Sequence, residues 1–204
     1  MRLFEFDIQK ILDPGITKPL DEDEKYLSDL IRKHCSYALS AMKKTGKFLY
    51  HGSDNHGRDG KAVIGNTKTN RYPKDISIKS QSIIDSQLAE LGFKALRSNS
   101  LFCTGSEIRA REYGKLYYVF PINGFNFTWS PVTYDLYNTV CHQYDGEIND
   151  NNFVKKLEFK KTDFADAILS RNEIYINGKF IALHVHSSYS FVPQLIKETT
   201  DEII

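Results

Sequence analysis

Three short segments of this chain carry side chains that could do chemistry around a small ligand. Leu49-Tyr50-His51-Gly52-Ser53 puts a histidine and a glycine at the end of an apolar run. Leu101-Phe102-Cys103-Thr104-Gly105 is followed by a segment ending in Ala110-Arg111-Glu112-Tyr113-Gly114. Asn172-Glu173-Ile174-Tyr175-Ile176 holds one carboxylate at the start of an alternating run. A carboxylate fixed on a strand can stabilise positive charge that develops in a transition state. A tyrosine ring offers an apolar face with a polar tip, and a glycine lets another group approach the backbone closely. Each residue also has a plainer reading: His51 as a turn residue, Tyr113 as core, Glu173 as a solvated strand position. Aromatic residues make up 13%, with 12 Tyr and 13 Phe against one Trp. That balance suits half-wet aromatic surfaces at strand edges or around a planar ligand.

The elements that must hold these residues can be read from periodicity and punctuation. Asp21 with Glu24 resembles a capping box, and Leu27, Leu30, Ile31, Ala38, Ala41 and Met42 recur at helical spacing until Gly46, which predicts one amphipathic helix. Residues 47–51 read as a short strand. Residues 53–75 are polar and read as a long loop, a length that in compact domains is functional or disordered. Helical spacing returns over residues 76–91, and Gly92 stops it. A strand is expected within residues 95–103, a short helix capped by Ser106 over 106–113, then strands over 115–122 and 125–129. Residues 132–170 read as mainly helical with a polar break at 146–152. Residues 173–176 and 180–185 flank Asn177-Gly178, a pair that supplies the positive φ angles of a two-residue hairpin turn. The tail beyond Pro193 is polar and expected to fray. The fold class expected is α+β with a mostly antiparallel core. It divides into a helical lead-in over 1–46 packed on the core, a main domain over 47–193 and a tail over 194–204.

Composition narrows the function classes. The formal net charge of +1 gives no global field to draw the chain onto nucleic acid or anionic lipid. Cys35, Cys103 and Cys141 are too scattered for a disulfide framework or a zinc knuckle. Charge interrupts the N-terminal residues before an apolar run develops, and no stretch reaches the ~20 apolar residues of a membrane span. A soluble, cytoplasmic protein is expected, with no membrane partner. His184 and His186 alternate onto one strand face and could take a metal with Cys141 or His142. No CxxC or HExxH spacing accompanies them, so no metal is expected. Lys155, Lys156, Lys160 and Lys161, with the basic loop around residues 58–79, could guide an acidic or nucleic-acid partner, although such runs are ordinarily solvated.

In order and context, the three segments resemble the ADP-ribosyltransferase superfamily, in the His–Tyr–Glu branch that includes diphtheria toxin and the poly-ADP-ribose polymerases. The match covers roughly residues 47–185 through short segments and sets His51, Tyr113 and Glu173 on the triad positions. Arg71–Asp75, of the form R-x-P-x-D, and residues 118–130 are further similar to uncharacterised ADP-ribosyltransferase-like proteins of bacteriophages, which would act in a host cytoplasm. The resemblance implies a split antiparallel β core with flanking helices. It also implies NAD⁺ as substrate and transfer of ADP-ribose to a macromolecular acceptor, protein or nucleic acid, with release of nicotinamide.

Roles follow from that resemblance. Glu173 would stabilise the oxocarbenium-like transition state of glycosidic cleavage and hold a ribose hydroxyl. Tyr113 would stack on nicotinamide, His51 would donate to a ribose hydroxyl, and the Gly52 backbone would meet the carboxamide. Two positions depart from the pattern. Ala110 stands where polymerase relatives place a nicotinamide-binding serine, leaving Ser100 or Ser106 as substitutes. Arg171 stands two before Glu173, where arginine-modifying transferases have Gln or Glu, which argues against arginine as acceptor. A non-catalytic binding module of the same fold that engages a host factor, and an NAD glycohydrolase, are the alternative readings.

Overall fold

The computed structural model describes residues 13–53, 62–74, 76–144, 147–150, 152–187 and 189–197. They form an α+β fold around an eight-stranded sheet in which every described pairing is antiparallel, in the order β1-β3-β8-β5-β2-β4-β7-β6. The strands are β1 (Thr17–Pro19), β2 (Tyr50–Ser53), β3 (Ala62–Asn66), β4 (Leu101–Thr104), β5 (Lys115–Pro121), β6 (Asn126–Trp129), β7 (Glu173–Asn177) and β8 (Lys179–His184). The helices are α1 (Glu24–His34), α2 (Ser36–Thr45), α3 (Ile78–Glu90), α4 (Glu107–Arg111), α5 (Leu136–Gln143), α6 (Phe153–Lys156), α7 (Phe164–Ser170) and α8 (Val192–Lys197).

Two apolar clusters flank the sheet. One joins α1, α2, α7 and α8 to Leu49, Ile64, Phe120, Ile174, Ile176 and Leu183. The other joins α3, α5 and α6 to Tyr175, with Phe102 packed against it. The period of two along β7 divides it between them, Ile174 and Ile176 to the first and Tyr175 to the second. Glu173 and Tyr175 therefore share a face.

Several expectations are corrected. The helix expected over 21–46 is two helices meeting at Cys35, which is fully buried, and its cap is Asp23 rather than Asp21, accepting from the Tyr26 N–H. The lead-in also supplies an edge strand, β1. The loop expected over 53–75 contains β3, pinned between β1 and β8; residues 54–61 and Asp75 lie outside the described residues. The described part of residues 132–170 holds three short helices; Asp145 lies outside the described residues, as do Gly146 and Asn151 of the expected break. At the C-terminus α8 runs through Pro193, which a first helical turn tolerates, and buries Leu195.

The largest correction concerns Asn177-Gly178. Strands β7 and β8 do not pair. β7 lies between β4 and β6, and β8 lies between β3 and β5. Counting antiparallel steps from β7 through β4, β2 and β5 to β8 returns the same strand sense, so the chain runs on instead of reversing. Gly178 supplies the bend at φ +133°. Both edges of β7 are occupied, so a hairpin has no edge to form on. Thr67 holds the bend: its N–H donates to the Gly178 carbonyl and its Oγ1 accepts from the Gly178 N–H, both at 3.1 Å. Asn177 Nδ2 donates to the Asn99 carbonyl at 2.8 Å.

Among the described residues no helix is long and apolar enough to cross a membrane.

Candidate active site

The sheet is nearly divided in two. Strands β1, β3, β8, β5 and β2 form one part, and β4, β7 and β6 the other. Between the parts, β2 and β4 register only through Tyr50 and Thr104. Beyond Tyr50 the backbone of β2 parts from β4, and a cavity of about 900 Å³ opens beside the gap. His51, Gly52, Ser100, Tyr113 and Glu173 all line it, although they come from four separate stretches of chain.

Gly52 faces the gap through its peptide groups. In an antiparallel pair, hydrogen-bonded and non-hydrogen-bonded partners alternate. Leu49 accepts from the Val119 N–H across β2 and β5, while the Leu116 carbonyl accepts from Val185 on the β8 side. Gly52 and Leu116 are therefore a non-hydrogen-bonded pair. The N–H and C=O of Gly52 then point away from β5, towards the gap. Its missing side chain makes room for the last turn of α4, since the Ala110 carbonyl packs where a Cβ would stand.

His51 is part-buried and its Nδ1 lies 2.7 Å from the Phe102 carbonyl. A carbonyl only accepts, so Nδ1 carries the ring proton and Nε2 is left as an acceptor. Burial pushes the ring down to about pH 4, opposed by the Phe102 hydrogen bond and reinforced by Arg71. The ring is neutral near pH 7. The expectation that His51 donates to a ligand hydroxyl is thereby reversed: it is built to accept.

Tyr113 is 51% exposed, on the cavity wall just after α4, which excludes its reading as a core residue. Ser106 caps α4, accepting from the Arg109 N–H, and is not among the lining residues. Ser100 is, and its hydroxyl donates to Asn99 Oδ1 at 3.1 Å.

Glu173 is not a solvated strand residue, since its side chain is only 20% exposed. Oε2 lies 3.3 Å from Arg97 Nη1 and accepts from the Tyr175 hydroxyl at 3.1 Å. The backbone N–H of Leu136, in the first turn of α5, also favours the charged carboxylate, as the start of a helix favours negative charge. Burial raises the carboxyl above its ordinary range, with Arg97 opposing, Asp135 adding, and the Tyr175 and Leu136 hydrogen bonds opposing.

Arg97 has no signal in the sequence: it stands in the polar run Arg97-Ser98-Asn99-Ser100, yet is 5% exposed. Arg71 and Arg97 both lie over the Phe102 ring, at 3.8 and 4.7 Å from its centroid. With Lys68, Lys74 and Arg109 they make the cavity rich in cations, against Glu112, Asp135 and Glu173. Asp135 is itself engaged in capping α5. The wall therefore suits a ligand that carries negative charge.

Ser130 is buried at 1% exposure; its hydroxyl donates to the Leu157 carbonyl and accepts from the Thr133 N–H. Tyr134, Tyr137 and Asn138, just beyond it in the chain, line the cavity. His184 and His186 have rings 5.5 Å apart, and Arg111 reaches His186. Among the described residues no group of three or more His, Cys, Asp or Glu could hold a metal ion.

Comparison of the chain with protein-family models, with curated proteins and with solved structures found no match.

Proposed function

We propose that the protein is an NAD⁺-dependent ADP-ribosyltransferase that transfers ADP-ribose to a macromolecular acceptor. One observation carries the reading: His51 with Gly52, Tyr113 and Glu173, three stretches distant in sequence, line one cavity at the gap between two parts of an antiparallel sheet. A chance likeness of short segments gives no reason for them to meet. The volume, about 900 Å³, is at the upper end of the range for small-ligand pockets and has room for a dinucleotide. The nearly divided sheet is what supports the finer fold assignment.

The chemistry breaks the bond between ribose C1′ and the nicotinamide nitrogen, and the bonding pair leaves with nicotinamide. Positive charge spreads over C1′ and the ring oxygen until an acceptor nucleophile bonds C1′ and gives up its proton. Glu173, held on β7, would stabilise that charge. Tyr113 provides an exposed ring for nicotinamide to stack on. The outward N–H and C=O of Gly52 match the C=O and N–H of a carboxamide. Neutral His51 would accept from a ribose hydroxyl through Nε2. Arg71, Lys68 and Lys74 line the cavity as counter-charges for a diphosphate.

The test is incubation with NAD⁺ labelled in the adenylate moiety and a bacterial lysate, followed by nuclease or protease digestion of the labelled material. Nicotinamide release together with a covalent adduct supports the transferase. Release without an adduct means a glycohydrolase. NAD⁺ binding without release means a non-catalytic module, and no binding ends the reading.

A further inference from the structure

Arg97 and Tyr175 form a closed set with Glu173. Arg97 Nη1 donates to the Tyr175 hydroxyl at 3.0 Å and lies 3.3 Å from Glu173 Oε2, while the Tyr175 hydroxyl donates to the same Oε2 at 3.1 Å. Three contacts among three side chains leave little freedom to any of them.

The set is anchored from behind. The 3₁₀ turn Arg97–Asn99 is fixed by Asp85 of α3, whose Oδ1 accepts from the Arg97 N–H at 2.8 Å and Oδ2 from the Ser98 N–H at 3.1 Å. The Arg97 guanidinium lies over Phe102 and Tyr175, whose rings are cross-strand partners 5.0 Å apart. Tyr175 is 1% exposed and its hydroxyl, with burial as the chief cause, is held far from ionisation, so at neutral pH it stays a neutral hydroxyl that accepts from Arg97 and donates to Glu173.

Resting on the transferase reading, we propose that Arg97 and Tyr175 are positioning residues for Glu173. They hold Oε2 and keep the buried carboxylate ionised and aimed at the cavity. A carboxylate taken from water tends to take up a proton, and only nearby opposite charge or hydrogen-bond donors keep it charged. The groups facing Glu173 are Arg97 from the 3₁₀ turn, Tyr175 from its own strand, and Asp135 with the Leu136 N–H from the start of α5. Asp85, which holds the Arg97 backbone N–H, also acts on the Arg97 charge. Asp135 is the one facing group that favours protonation, so Arg97 and Tyr175 do most to offset both it and the burial.

The experiment follows the Glu173 carboxyl directly, by carbon-13 NMR of glutamate-labelled protein across pH, with the signal assigned by its loss in Glu173→Gln. In Tyr175→Phe, which keeps the ring packing and loses only the hydroxyl, the Glu173 midpoint should rise by about half a pH unit or more. In Arg97→Gln it should rise by about 1–3 units, and Arg97→Lys should recover part of the shift. The acid limb of nicotinamide release should move upward by the same amounts, with kcat falling more than KM changes. If Arg97→Gln does not fold, Tyr175→Phe and Arg97→Lys decide the matter. An unmoved Glu173 midpoint in every folded variant overturns the proposal even if the wild type releases nicotinamide. A midpoint that moves as expected in a protein releasing no nicotinamide upholds the positioning set and ends the transferase reading instead.

Discussion

A Cβ added to Gly52 would stand 1.8 Å from the carbonyl oxygen of Ala110 and 2.9 Å from the Cβ of Tyr113. Position 52 is therefore glycine because the end of α4 rests on β2, and this contact sets Tyr113 beside the gap. The sequence suggested another reason, close approach of a ligand. The two are compatible, because the side-chain direction faces α4 while the peptide groups face the gap.

Gly52→Ala should accordingly do more than weaken a strand. The clash is with backbone, which cannot rotate away, so α4 or β2 must shift. A loss of about 2–3 kcal/mol in chemical denaturation is expected, as for other overpacked sites, together with loss of measurable NAD⁺ binding. An alanine variant with unchanged stability would show that the α4 contact is loose.

Glu173→Gln should lower transfer on the order of 10²–10³-fold while NAD⁺ affinity stays nearly constant, because the carboxylate acts on charge that appears in the transition state. The variant also leaves the buried Arg97 without its counter-ion. Its denaturation midpoint should therefore fall, although the neutral amide can still accept from Arg97. Turnover within threefold of wild type would remove Glu173 from the chemistry.

Tyr113→Ala should weaken NAD⁺ binding by about 1 kcal/mol or more, through lost stacking and contact area. Because Tyr113 is half exposed, thermal stability should change little. Calorimetric titration and a melting curve on the same sample separate the two effects. Unfolding without a separable binding defect would mean that Tyr113 serves the packing of α4 on β2 and not the binding of a ligand.

His51 makes stability depend on pH. Its folded-state midpoint is depressed to about 4 from an ordinary 6.5. Between those values the unfolded chain binds a proton that the folded chain refuses. The contribution is thus complete above about pH 6.5 and is lost as pH falls towards 4. From pH 7 to pH 5 the loss attributable to His51 is about 2 kcal/mol. Urea unfolding of wild type and His51→Gln at both pH values measures it as a difference, in which the other titrating groups cancel. Equal pH dependence in the two proteins would mean that His51 is not held neutral by burial.

Much of the local structure was legible in the sequence because its causes are local. Helix α3 follows from apolar spacing, with Gly92 just past its end, and α4 from Ser106 as cap. Strand β5 follows from a run of apolar and aromatic residues. Strand β3 was missed because it is five residues long and interior, and what makes it a strand is its two neighbours. The residues proposed for chemistry were legible by type and order: His51, Gly52, Ser100, Tyr113 and Glu173.

What the sequence could not decide was which groups meet. Asn177-Gly178 supplies a torsion that either a hairpin or a bend can use, and the choice fell to the bend because β4 and β6 already occupy both edges of β7. Arg97 reads as a surface residue, and its burial depends on a carboxylate 76 positions away. The tautomer of His51 is set by a carbonyl 51 positions away. By itself the sequence determined side-chain chemistry and local conformation, because a residue carries these with it. Charge state, hydrogen-bonding role and the cavity itself were decided by the tertiary structure, because each depends on burial and on partners that only the folded chain brings near.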